Sequence, residues 1–151
     1  MSLIPELGKK YQGLPNILAE LEDELEGLTE KLEKKGLLET CISENSAHMH
    51  YYDERRARLK TLVNYFKMEQ DRVRSELYVS YTENYSRTLS SQQVTKYLDR
   101  EPSYLEIHQI LLEVEELYER YVIAVENFKA RGFELQYIAK LRIANLEFTE
   151  L

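Results

Sequence analysis

Between Leu38 and Leu77 the apolar residues Leu38, Ile42, Met49, Tyr52, Leu59, Val63, Phe66, Val73 and Leu77 follow alternating steps of four and three, with Asn45, Arg56 and Gln70 in the remaining slots. That is the period of a helix packed along its length on another helix. Polar groups in such a seam cost stability but fix register and partner number, so the pattern predicts a long helix over residues 38–85 built for one specific assembly.

Leu14, Leu18, Leu21, Leu25, Leu28 and Leu32 repeat the same steps among glutamates and lysines, predicting an acidic helix over 14–35. Gly36 is expected to end it in a left-handed cap, with Leu37 folded back on Leu32. The long helix follows at once, so the two should form an antiparallel hairpin. The pattern lapses over residues 86–91, where Ser90 and Gln93 have the spacing of a capping box for a short helix through Leu98. Pro102 suits the first turn of a helix over 102–131, with Ile107, Leu111, Val114, Tyr118, Tyr121, Val125 and Phe128 in heptad spacing. Ile110, Leu117 and Ala124 add a second apolar edge. Gly132 is expected to stop this helix, with Phe133 packed on Phe128, before a last helix over 134–148 that is apolar at Leu135, Ile138, Leu141 and Leu146. The fold class is therefore all-α: one domain with a long helical hairpin, C-terminal helices and coiled-coil-like packing.

Five glycines, three prolines and no tryptophan among 151 residues argue against a turn-rich β fold. A charged fraction of 31% on a clear helical period indicates solvated helices rather than disorder. No apolar run approaches the length of a membrane span, and the opening MSLIPELGKK has no apolar core of a signal peptide, so a cytoplasmic location is expected. The single cysteine, Cys41, cannot form an internal disulfide and reads as a small buried or boundary residue.

No phosphate-cradling glycine loop and no catalytic set is legible, so no enzyme and no cofactor is expected. Cys41, His48 and His50 lack the helical spacing of a zinc site, and no metal is expected. His108 reads as a satisfied core or boundary residue.

The net charge of −7 conceals an uneven distribution. Residues 51–100 hold ten basic and seven acidic side chains, whereas each flanking third holds five basic and ten acidic. Arg55, Arg56, Arg58, Lys60, Lys67, Arg72 and Arg74 are concentrated in the long helix, with Tyr65 among them. At 100° per residue Arg56, Lys60, Lys67 and Arg74 share one flank of the seam, continued by Tyr78, Tyr81 and Tyr85. From Arg56 to Arg74 that flank spans roughly 27 Å, enough to follow several nucleotides of a single strand. Cations neutralise phosphates without reading sequence, and tyrosine rings stack on any base. The same strip also reads as a solvated helix face paired with the acidic first helix, and both readings stand on composition.

Lys129, Arg131, Gly132 and Phe133, followed by Ile138 and Arg142 and preceded in register by Ala124, Glu126 and Phe128, resemble the C-terminal part of the UvsY family of phage recombination mediators. Upstream, Leu59, Lys60, Tyr65 and Phe66 resemble a family stretch in which a basic residue, Ala, Arg and Leu precede a tyrosine pair. Arg56, Ala57, Arg58 and Leu59 reproduce that basic run one helical turn earlier, and Leu62 stands where direct alignment places the family's arginine. The resemblance runs from Leu59 to Arg142. It implies a small, all-helical, ring-forming protein, a hexamer or heptamer, acting in the host cytoplasm during infection. Such a protein binds single-stranded DNA and helps a RecA-like phage recombinase to replace the phage single-strand-binding protein. The expected strand contacts are Arg55, Arg56, Arg58, Lys60, Tyr65, Lys67, Arg72 and Arg74. The expected ring contacts are Phe128, Phe133, Leu135, Ile138 and Leu141, because a short last helix is marginal in isolation and needs a packing partner. The competing expectation is a structural coiled-coil adaptor with no DNA-binding role.

Overall fold

A computed structural model describes residues 11–84 and 89–144. Among the described residues there are five helices and no strand: α1 (Leu14–Glu26), α2 (Leu28–Leu32), α3 (Leu38–Asn84), α4 (Ser91–Leu98) and α5 (Pro102–Ile143). The chain divides into two compact units, one formed by residues 1–58 with 117–151 and the other by residues 59–116. The long helices α3 and α5 contribute to both.

In the first unit the expected acidic helix is two helices, broken at Gly27, and α2 ends at Leu32 with Glu33 extended. Gly36 is left-handed as expected (φ 85°) but lies in the connection, and Leu37 is 75% exposed rather than folded back. The helix stops early because its terminal carbonyls have another partner: Arg131 donates from Nε to Leu32 O (3.2 Å) and from Nη2 to Glu33 O (3.0 Å). The first part of α3 runs antiparallel to α1 and α2, as the positions of Glu24 beside Arg55 and of Leu32 beside Arg131 and Cys41 require. The core of this unit holds Leu14, Leu21, Leu25, Cys41, Tyr52, Leu117, Tyr121, Ala124, Val125, Phe128 and Leu135. Cys41, whose thiol donates to Lys35 O, is buried where the heptad reading placed Ile42, which is 45% exposed.

Gly132 does not stop a helix. It lies inside α5, where a Cβ would stand 3.1 Å from Asn45 Nδ2, so the glycine permits close approach of α3 rather than a turn. Without the break, Phe133 is carried to solvent at 64% exposure instead of packing on Phe128. Residue 85 of the expected long helix and residues 145–148 of the expected last helix lie outside the described residues.

The second unit packs Leu59, Leu62, Val63 and Phe66 of α3 with Val94 and Leu98 of α4 and Ile107, Leu111 and Val114 of α5. Helix α4 starts in a capping box, with Ser90 Oγ accepting from Gln93 N (3.2 Å) and Gln93 Oε1 accepting from Ser90 N (3.0 Å). No helix among the described residues is long and apolar enough to cross a membrane.

Candidate functional site

The polar residues of the α3 seam are satisfied within the chain. Asn45 donates to Phe128 O (3.1 Å) and accepts from Arg131 Nη1 (2.9 Å), which also reaches Cys41 O (3.3 Å). Gln70 lies 2.7 Å from His108 Nδ1 and 3.4 Å from Tyr104 Oη. These bonds link α3 to α5 within the chain and fix their register there. Among the described residues no buried side-chain nitrogen or oxygen lacks a partner.

In the first unit Glu24 gathers Arg55 Nε (2.5 Å), Tyr51 Oη (2.7 Å) and Tyr121 Oη (3.0 Å). Burial alone would raise its pKa, but these three donors hold the carboxyl below its ordinary range. Burial and the Glu24 charge push the Tyr121 hydroxyl far upward. Arg55 also lies over the Tyr51 ring, 3.5 Å from its centroid, so it is committed to this network rather than offered to a strand. Arg56 donates to Asp53 (2.7 Å) and Arg58 to Glu54 (2.7 Å).

In the second unit the remaining strip residues fall on two flanks of α3. Lys60, Lys67 and Arg74 recur every seven residues on one side; Tyr65 and Arg72 lie roughly 150° round the helix. Arg72 is held by both Glu69 (2.9 Å) and Glu76 (2.8 Å), and Tyr65 sits edge-on to Phe66. On the other flank the ion pairs of two residues are longer: Glu115 is 3.7 Å from Lys67 and Asp99 is 3.8 Å from Arg74. Within this unit the expected contacts therefore lie on two flanks of α3.

Of the expected ring contacts, Phe128 and Leu135 belong to the chain's own core, Phe128 with its ring 5.3 Å from that of Tyr52. Ile138 is half-buried, whereas Phe133 and Leu141 are exposed and share a face of α5 with Ala130 and the 67% exposed Tyr137. Sequence reasoning missed Tyr137, whose spacing of four from both Phe133 and Leu141 marks that face. It also missed the buried role of Arg131, for which the signal was an arginine inside an otherwise apolar heptad register.

An open cleft in the first unit is lined by Glu30, Glu33 and Glu44 against Lys31, Lys35 and Arg131, charges that cancel. Among the described residues no group of His, Cys, Asp and Glu side chains could hold a metal ion. No family model matches the chain, and neither the curated proteins nor the solved structures contain a match to it.

Proposed function

We propose that this protein is a recombination mediator without enzymatic activity, which binds single-stranded DNA and helps to load a RecA-like recombinase onto strands covered by single-strand-binding protein. The observation that carries the reading is the flank of Lys60, Lys67 and Arg74. It is exposed and spans about 21 Å at two-turn intervals, and the ion pairs of Lys67 with Glu115 (3.7 Å) and of Arg74 with Asp99 (3.8 Å) are too long for hydrogen bonds. Exposed pairs of that kind are worth about 0–1 kcal/mol, so phosphate oxygens can replace the carboxylates at little cost. Self-assembly through the exposed α5 face of Phe133, Tyr137 and Leu141 would place several such flanks on one particle. Each then acts at high effective concentration on a long strand.

The test is a fluorescence-anisotropy titration of a labelled oligothymidylate over a range of salt. Binding should fall steeply with salt, and the Lys60→Ala, Lys67→Ala, Arg74→Ala triple variant should bind more weakly with a flatter slope of log affinity against log salt. A lag in ATP hydrolysis by a RecA-like recombinase on protein-covered strand should shorten when the mediator is added.

The adaptor reading has its own support, since Arg55, Arg56, Arg58 and Arg72 are hydrogen-bonded to carboxylates of the same chain. It predicts no salt-dependent oligonucleotide binding by the full chain.

A further inference from the structure

The flank of Lys60, Lys67 and Arg74 leads to a second cluster in the same unit. Arg74 lies 3.8 Å from Asp99, which follows the end of α4, and its guanidinium is 5.8 Å from the Tyr104 centroid. Around Asp99 stand Lys96, Tyr97 and Arg100. The Arg100 backbone N–H donates to Tyr97 O (3.2 Å), closing the chain tightly around that tyrosine. Lys96 and Arg100 are both exposed, and neither has an ion-pair partner among the described residues. Tyr97 is 39% exposed while its ring stacks on that of Tyr81, with centroids 6.0 Å apart and planes 21° from parallel. Tyr81 is itself fixed by donating its hydroxyl to Glu101. The neighbouring carboxylates thus have partners within the chain, Asp99 with Arg74 and Glu101 with Tyr81. Among the described residues the two cations beside Tyr97 have no ion pair.

From this arrangement we infer that the C-terminal end of α4 is a stacking site for single-stranded DNA: a base extends the Tyr81–Tyr97 stack, and Lys96 and Arg100 neutralise the adjoining phosphates. The inference rests on the strand-binding reading above and extends it beyond α3. Its physical basis is that an immobilised aromatic pair loses little freedom when a base joins it, and that exposed cations with no ion pair among the described residues give up little to meet a phosphate. A base within a duplex is already stacked and cannot join, so the site selects single strands.

The experiment uses the full chain and a 5′-fluorescein (dT)20. Tyr97→Phe keeps the ring and should bind within about twofold of the parent, whereas Tyr97→Ala should weaken binding by about five- to 150-fold, the range for loss of one base stack. The Lys96→Gln, Arg100→Gln double variant should flatten the salt slope by about 1.4, two single-strand phosphate contacts. Far-UV circular dichroism reports whether Tyr97→Ala folds. If it does not, the double variant decides, since both of its side chains are exposed: a flattened slope supports the site and an unchanged slope overturns it. Parent-like binding by a folded Tyr97→Ala, or equal loss with Tyr97→Phe, overturns the stacking site. An equal loss of affinity for a 20-base-pair duplex in Tyr97→Ala also overturns it. If the α4 variants bind like the parent while the Lys60, Lys67, Arg74 triple variant does not, the α4 site falls and the α3 flank stands. Failure of the parent to bind (dT)20 removes both.

Discussion

A methyl group on Gly132 would stand 3.1 Å from Asn45 Nδ2, the same amide nitrogen that donates to Phe128 O. Alanine inside a helix is ordinarily better than glycine by about 1 kcal/mol. Here the gain is opposed, because Asn45 is tethered at both ends of its amide and cannot retreat without losing a bond to Phe128 or Arg131. Gly132→Ala should therefore lower the melting temperature in the parent background. In an Asn45→Ala background the same change should raise it, and a thermal double-mutant cycle reads the difference in sign.

Arg131 is 4% exposed and donates to three backbone carbonyls and the Asn45 amide oxygen. Lysine cannot reproduce the planar fork of donors, and alanine leaves those acceptors unpaired. Arg131→Lys should cost about 2 kcal/mol and Arg131→Ala about 3 kcal/mol or more in urea unfolding. Variants that stay folded should bind oligonucleotide as the parent does, since the guanidinium is buried.

Stability should fall in acid, in two stages. His48 has its pKa lowered by burial first and then by Lys31, so below its ordinary value of 6.5 the unfolded chain takes up a proton that the folded chain resists. Glu24 follows: its folded pKa lies below 4.5, so its stabilising contribution is present above 4.5 and disappears as pH falls through the folded value. Glu24→Gln should lower stability at pH 7 by about 1–3 kcal/mol and flatten the loss below pH 4.5. His48→Gln should flatten only the stage that begins near 6.5. Urea titrations at half-unit pH steps measure both.

On α5, neighbouring residues should separate folding from assembly. Leu135 is 2% exposed, and Leu135→Ala should cost about 2–5 kcal/mol by leaving a cavity. Phe133→Glu with Tyr137→Glu alters exposed positions and should leave the helix content unchanged while reducing the sedimenting mass of the particle. An unchanged mass in that double variant would remove this face from the proposed assembly.

Heptad spacing made α3 and the apolar register of α5 legible, and the Ser90 to Gln93 spacing located the start of α4. Gly132 was misread because a glycine after an apolar run has the signature of a helix stop whether it relieves a turn or a close contact. Only the position of Asn45, 87 residues earlier in the numbering, distinguishes the two. The surroundings of the basic strip were hidden for a related reason. Periodicity placed the cations around α3, but the distances of Glu24, Glu115 and Asp99 from them are tertiary facts with no local signature. Tyr97 escaped notice because a Lys-Tyr-x-x-Arg run in a short helix has meaning only beside Tyr81.

The unit made of residues 59–116 is one uninterrupted stretch of chain, whereas the other is assembled from two stretches on either side of it. Arg131 meets Leu32 across 99 positions, and Tyr121 meets Leu21 across 100. During synthesis, therefore, residues 59–116 have all their internal partners before the clamp on α2 has been made, while α1 and α2 must wait for the far end of α5. In pulse-labelled hydrogen exchange during refolding, amides near Phe66 and Leu111 should gain protection before those near Leu21 and Leu32, giving the protein a kinetic order that runs from the middle of its chain outward.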